Sequence, residues 1–456
     1  MVEAELRGER TESIRIVTGA RTTRRVSCLE VRKLPHARER LGSHNLLEES
    51  SEPVRTRASW SEGALRHRVL FYCQHLLGMG HLVRSAAIVD ALAADFSVHF
   101  VIGGLPVAGF TLPPDIHVIQ LPPLQSDPAF GLQACDSSAT LQETKALRKD
   151  LLLGLLDSVA PNVLITELYP FGRKQFEFEL IPLLERSQRR SEKPITVSSI
   201  RDVLVTKKDQ LEHERRVCEI INKFYDLVLV HGDERLHRLE ETFSSAAQLT
   251  CPLRYTGYVV QPEGRTAGSD SVCDEVLPRP TIVVSVGGGR SPQCYEFLTA
   301  VIRAAILLER RIPHYFRISA GPLVPPEIYA NLETLVLTAG NVQLRRYTPS
   351  LGIHMKHAAL SLSMAGYNTV MDIISAGVFA LVLPVTSNQD REQSIRAAAL
   401  EKLGVVEMLQ REDLKPERLS VEIIRALEIT PRRLSLNLQG ARNTTLMLKE
   451  FIRRGK

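Results

Sequence analysis

The chain reads as α/β, two doubly wound domains facing a cleft, and three observations carry that reading. Short β-branched-rich runs alternate with helical stretches, which signals parallel sheets. A stretch rich in Pro, Gly, Ser and acids interrupts the alternation near its middle, as an inter-domain linker does. At 456 residues, 44% hydrophobic and 24% charged, the chain is too long for one core and too apolar for disorder.

Taken in order, residues 1–66 lack Phe and Tyr, mix Arg with Glu and keep no sustained period, so they are predicted to be a disordered tail. A transit peptide is the alternative; such peptides avoid acids, and Glu3, Glu5, Glu9 and Glu12 oppose it. Residues 67–260 form the first domain, with strand-like runs at Val69-Leu70-Phe71-Tyr72, Val98-His99-Phe100-Val101-Ile102, Val163-Leu164-Ile165, Ile195-Thr196-Val197 and Leu227-Val228-Leu229-Val230. Residues 261–280 are the linker. Residues 281–456 form the second domain, with strands at 281–284, 314–318, 360–362 and 381–383 and helices expected near 294–310 and 390–402. Ligands of such sheets bind at the carboxyl ends of strands, so the cleft is the expected site.

The formal charge of +5, from 57 basic and 52 acidic residues, is not the footprint of a dedicated nucleic-acid binder. No apolar run approaches the ~20 residues that span a bilayer. Seven scattered cysteines without a CxxC pair fit a reducing cytoplasm, which is the expected location.

The candidate chemistry lies at strand ends. After the first strand come Gly78, Gly80 and His81, where bare backbone and a helix N-terminus suit an anion and His81 suits a general base. A tight turn with His81 as a polar cap explains the same residues. Gly287, Gly288, Gly289 and Arg290 follow the first strand of the second domain and suit a diphosphate, although the GK[ST] ending of a P-loop is missing. Gly366 precedes a helix that Asn368 or Thr369 is expected to cap, with Asp372 about one turn in and able to accept ribose hydroxyls. Glu392 and Gln393 begin a further helix with groups suited to sugar hydroxyls. In the first domain, Glu167 and Arg173 in one turn and Arg201-Asp202 in the next rim the cleft. A local Arg201–Asp202 ion pair competes with a catalytic role there. His354 and His357 have no evident third ligand and are read as surface residues of a helix.

Together these residues resemble the GT-B glycosyltransferases, and within them the family 28 group containing the N-acetylglucosaminyltransferase of the peptidoglycan lipid precursor. The most specific stretch is SMAGYNTVMDIISAGVFALVLP followed by DREQSIRAAALEKLG, with GMGH at 78–81 resembling the amino-terminal glycine loop. TELYPFGRKQFEFELIPLL and SSIRD are similar to a bacterial subgroup of predicted glycosyltransferases. The resemblance implies a diphosphate held by Gly287 to Arg290 and the Gly366–Thr369 helix start, Tyr347 beside the uracil, Asp372 on the ribose, and Glu392 and Gln393 toward the donor sugar. Asp372 stands where that family usually has Glu.

The implied activity is transfer of a hexosyl or N-acetylhexosaminyl group from a UDP-sugar to an acceptor hydroxyl, with inversion. Neither a metal nor a cofactor is expected, because no DxD triplet occurs. His81 is the first choice of base, with Glu167 and Asp202 as competitors. The acceptor, lipid-linked or soluble, stays open, as does attachment to the inner face of the membrane. A nucleotide-sugar hydrolase of the same fold, or a silent nucleotide-sugar-binding partner, fits the same motifs.

Overall fold

The computed structural model describes residues 66–76, 80–107, 110, 112–126, 131–260, 280–289, 291–348, 351–385, 391–432 and 434–455, with two short strands before them. Those strands, β1 (Ser13–Ile16) and β2 (Arg24–Ser27), pair antiparallel with Ser13 opposite Ser27, in a unit apart from residues 68–456. They depart from the expectation of a tail without structure: Ile14 and Ile16 alternate with polar residues, a pattern too short to register as a period. The rest of residues 1–65 and the expected linker up to residue 279 lie outside the described residues.

The first sheet is built from β3 (Arg68–Cys73), β4 (Ser97–Ile102) and β5 (His117–Gln120), then, beyond a small antiparallel pair β6 (Leu124–Ser126) and β7 (Leu132–Ala134), from β8 (Val163–Glu167), β9 (Ile195–Arg201), β10 (Leu227–His231) and β11 (Leu253–Tyr255). Its seven strands are parallel in the order β11-β10-β9-β8-β3-β4-β5. The chain runs outward one way from β3 and then the other way from β8, so the order reverses between these two strands. That reversal opens a crevice at their carboxyl ends.

Alternate residues of β3 feed the two layers of core. Leu70 and Tyr72 face α2 (Leu141–Val159), α3 (Glu177–Gln188) and α4 (Gln210–Phe224), while Val69 and Phe71 face α1 (Gly80–Ala93). All of these strand residues are fully buried, which is why the β runs read as continuous apolar stretches rather than alternating ones.

The second sheet repeats the scheme with β12 (Thr281–Ser285), β13 (Tyr315–Ser319), β14 (Val342–Arg345), β15 (Ala358–Met364), β16 (Ala380–Leu383) and β17 (Val406–Met408), parallel in the order β14-β13-β12-β15-β16-β17. Here the reversal lies between β12 and β15. One face is covered by α5 (Pro292–Leu308), α6 (Pro326–Val336) and α10 (Pro416–Leu427), the other by α8 (Tyr367–Ala376) and α9 (Glu392–Lys402), with the short α7 (Leu351–Lys356) preceding β15. α5 begins cleanly because Ser291 accepts from the Cys294 amide and Pro292 occupies the first turn.

The last described helix, α11 (Gly440–Arg454), falls within the second domain expected over 281–456. It crosses back to pack on α1, burying Leu448 completely in the core of the first sheet, with Lys449 Nζ 2.5 Å from Asp95. Its apolar positions Ala441, Leu448, Phe451 and Ile452 recur at helical spacing and therefore form one stripe. Leu448→Ala should cost about 2–5 kcal/mol of stability, read as a lower denaturation midpoint; an unchanged midpoint would mean that α11 is dispensable to the first half.

Candidate active site

The first half-site forms at the β3/β8 reversal. His81 opens α1 just beyond β3, and Glu167 ends β8, so adjacent strands bring the two side chains together. His81 Nδ1 lies 2.6 Å from Glu167 Oε1, and Arg84, one turn further along α1, donates from Nη2 to the same oxygen at 2.5 Å. Arg173 Nη2 stands 3.9 Å from Glu167 Oε2, while its Nε and Nη2 are buried without a hydrogen-bond partner. Arg173 sits at φ 62°, where its turn aims the side chain inward before α3.

Burial pushes the Glu167 carboxyl up, yet His81, Arg84 and Arg173 outweigh it and hold the group down at about 2. Burial also lowers His81, only partly offset by Glu167, to about 4. The pair at neutral pH is thus a carboxylate facing a neutral imidazole. With Glu167 accepting at Nδ1, that nitrogen carries the proton and Nε2 is left as the proton acceptor. Glu167, one of the expected competitors for the role of base, is thus engaged with His81 Nδ1.

The second half-site forms at the β12/β15 reversal. Gly287 and Gly289 adopt φ 65° and 76°, and a Cβ on Gly289 would lie 2.3 Å from the Ala320 carbonyl, so the turn after β12 admits only glycine there. Gly288 accepts from the Leu323 amide at 3.0 Å, fixing the loop against the next connection. Around Gly287 and Gly366 a Cβ would meet nothing within 4 Å, which leaves both backbones open to a ligand. Asp372 and Tyr347 are electrostatic neighbours: burial, then the Asp372 carboxyl, raises the Tyr347 phenol, and burial lifts Asp372 itself to about 7. The two residues expected at the base and ribose of a nucleotide are therefore near enough to interact electrostatically. Arg290 and Gly78 lie outside the described residues.

Several expectations are corrected. Asn368 and Thr369 do not cap α8; the helix begins one residue earlier, with Gly366 at the cap position and no side-chain cap bond. Asn368 instead donates to the Gly80 carbonyl of the first half at 3.2 Å, tying the two helix starts together, and Thr369 is buried. Arg201 and Asp202 do not pair with one another. Asp202 accepts both Nε and Nη2 of Arg396, at 2.9 and 2.7 Å, and Arg201 pairs with Glu392, whose other oxygen holds Arg396 Nη2 at 2.6 Å. Asp202 is thereby held in a cross-domain ion pair, and both Glu392 oxygens are engaged by arginines. Gln393 Oε1 accepts from the Val385 amide at 2.9 Å. His354 contacts Arg317 rather than a metal-like set of ligands.

The sequence reading missed Arg84, Arg396 and Tyr367 as structural members of the site. Arg396 was within reach, since Glu392 and Arg396 stand at i and i+4 on one helix. Its link to Asp202, 194 positions away, was not.

Burial raises Asp202 but Arg396 outweighs it, so the carboxyl is held below its ordinary value. The pair therefore stabilises fully above pH ~4 and fades as pH falls through the lower folded value. Asp202→Asn should cost about 3–5 kcal/mol at neutral pH, much less at pH 3; lost turnover with unchanged stability would indicate a chemical role instead.

Residues 283–444 match the Glycosyltransferase family 28 C-terminal domain. Among curated relatives, the chain is 27% identical over 122 residues, covering 26% of itself and 33% of the relative, to a UDP-N-acetylglucosamine--N-acetylmuramyl-(pentapeptide) pyrophosphoryl-undecaprenol N-acetylglucosamine transferase of Methylobacterium radiotolerans. It is 28% identical over 180 residues to the enzyme of the same name from Rhizobium rhizogenes, covering 40% of itself and 47% of that protein. The chain thus spans less than half the length of these relatives. Solved structures extend the likeness in fold: TcCGT1 in complex with UDP superposes with a TM-score of 0.54 at 15% identity, over 85% of this chain and 99% of that one. The calicheamicin glycosyltransferase CalG4 superposes at 0.52 with 14% identity, over 86% and 95%. Two parallel sheets, each with a reversal of strand order, give the chain the fold of the GT-B glycosyltransferases, and its residues 283–444 are similar to the family 28 C-terminal domain.

Proposed function

We propose that the protein is a glycosyltransferase that moves a hexosyl or N-acetylhexosaminyl group from a UDP-sugar to an acceptor hydroxyl, with His81 as general base. The observation that supports this above others is the His81–Glu167 pair at 2.6 Å, set against the donor-type helix start through Asn368 and Gly80. Imidazole Nε2 takes the proton of the acceptor hydroxyl as its oxygen attacks the anomeric carbon from the face opposite the leaving diphosphate, giving inversion. Glu167 holds the ring and balances the imidazolium that forms.

Departure of UDP develops charge at the diphosphate, and the open backbone at Gly287–Gly289 and the α8 N-terminus supplies amide donors there. Arg290 belongs to this loop by sequence. Arg84, Arg173, Arg201 and Arg396 face Glu167, Asp202 and Glu392, so four cations meet three carboxylates and one positive charge is left over in favour of an anionic substrate. Asp372 and Tyr347 receive the ribose and uracil, and the name of the curated relatives supports UDP as the nucleotide. The Nε2 of Gln393 is the donor-sugar contact. Gly80 and Arg173 serve the acceptor side in this proposal. The acceptor is lipid-linked or soluble; among the described residues no helix is long and apolar enough to cross a membrane.

His81→Ala should lower kcat by roughly 10²–10⁴-fold with UDP affinity nearly unchanged, because the donor residues lie in the other half. The assay, run with a UDP-sugar panel in a strong chelator, should retain wild-type turnover; abolition by the chelator would overturn metal independence, and a fully active His81→Ala would move the base elsewhere. Steady UDP-sugar breakdown without acceptor would instead identify a hydrolase.

Asp372 at about 7 in the free protein makes nucleotide binding pH-dependent. If ribose hydroxyls donate to its carboxylate, binding expels the proton, and UDP affinity rises roughly tenfold from pH 6 to pH 8. Asp372→Asn should flatten that profile and cost ~1.5–3 kcal/mol at pH 8. A flat wild-type profile in calorimetry would show that Asp372 takes no part.

A further inference from the structure

Tyr367 is the second residue of SMAGYNT to do something unexpected, after Asn368. It opens α8 in the second half, yet its ring is buried against two guanidinium groups: Arg84 of the first half lies 5.3 Å from the ring centroid and Arg396 of its own half 5.1 Å. Its hydroxyl donates to the His231 carbonyl at 3.1 Å and accepts from the Val259 amide at 3.2 Å, so the ring cannot turn away. Among the described residues Arg84 in turn donates to Glu167, and its Nε is buried without a partner there. It also lies over the face of Tyr367, a cation–π contact that desolvation strengthens.

We infer that Tyr367 is a positioning residue for the base: seating the donor-half helix start against the first half fixes Arg84 on Glu167 and, through that carboxylate, sets the orientation and proton affinity of His81. The chain of contacts is continuous, from the α8 N-terminus through ring, guanidinium and carboxylate to imidazole Nδ1. It rests on the reading of His81 as base. The electrostatic consequence has a definite sign. Arg84 neutralises part of the Glu167 charge; with Arg84 released, Glu167 holds the imidazolium more firmly and His81 becomes a stronger base that is protonated at higher pH. The groups facing His81 and Glu167 are Arg84, Arg173 and Arg201, with Cys73, His75 and His231 also beside Glu167, and of these only Arg84 lays its side chain on the Tyr367 ring.

The test compares Tyr367→Phe, which keeps the ring, with Tyr367→Leu, which removes it. In each, His81 is titrated by NMR and the acid limb of kcat/KM is recorded. The leucine variant should move both upward by about one pH unit and lower kcat about tenfold or more with UDP affinity retained, while the phenylalanine variant leaves both near wild type. Arg84→Gln, which removes the charge without touching the ring, should reproduce the leucine result and supplies the reading if the leucine variant does not fold. Unmoved titration and limb in Tyr367→Leu or Arg84→Gln would overturn the inference, because a role in stability alone shifts neither. A moved NMR titration with a kinetic limb that stays in place would leave the linkage standing and reject His81 as the base.

Discussion

A carboxylate with no exposure to water is the constraint that organises this molecule. An ion such as Glu167 in the interior is tolerated only when surrounding groups return the several kcal/mol lost with its hydration. Three side chains do so here, the His81 imidazole and the Arg84 and Arg173 guanidiniums, each delivered by a different local device: a helix start, one further helical turn, and a residue in left-handed backbone. The arrangement is possible because β3 and β8 are sheet neighbours although almost a hundred residues apart in sequence. Ion pairing, tautomer and strand order are therefore one fact seen at three scales.

The same economy joins the halves. Arg396 is buried and pairs through Nε and Nη2 with two carboxylates, one from each half, while its guanidinium and that of Arg84 both lie against the ring of Tyr367. Charges that would be costly alone become specific when paired across an interface, since neither half can bury its member without the other. An apolar seam of equal area would hold the halves as tightly, yet it would not fix their register as directional hydrogen bonds do.

The fold class was legible because parallel strands buried on both faces write themselves as continuous β-branched runs; Val69–Tyr72 and Leu227–Val230 fall inside observed strands, and the helices expected near 294–310 and 390–402 are found at Pro292–Leu308 and Glu392–Lys402. The glycine turns were legible for a similar reason, since positive φ leaves a mark on composition. What escaped is what depends on long-range pairing. Arg201 and Asp202 are neighbours in sequence and looked like partners, but consecutive residues at a strand end diverge, and each found its counter-ion on α9. Likewise Asn368 was read as a cap because it sits at a helix start, when the carbonyl it serves belongs to Gly80 in the other half. Local chemistry names the residues able to bind; only the topology says what they bind to.

The return of α11 to the first sheet has a consequence for how the chain is made on the ribosome. The first half emerges with its seven strands early, but the surface of α1 that receives Leu448 and its neighbours waits until α11 is made. At about 5–20 residues per second, the residues between Val259 and α11 take roughly 10–40 s to appear. During that interval the nascent first half carries an uncovered apolar strip, and a chain released early keeps it for good. A truncated product would thus advertise its incompleteness through this strip, the kind of surface on which quality-control machinery acts.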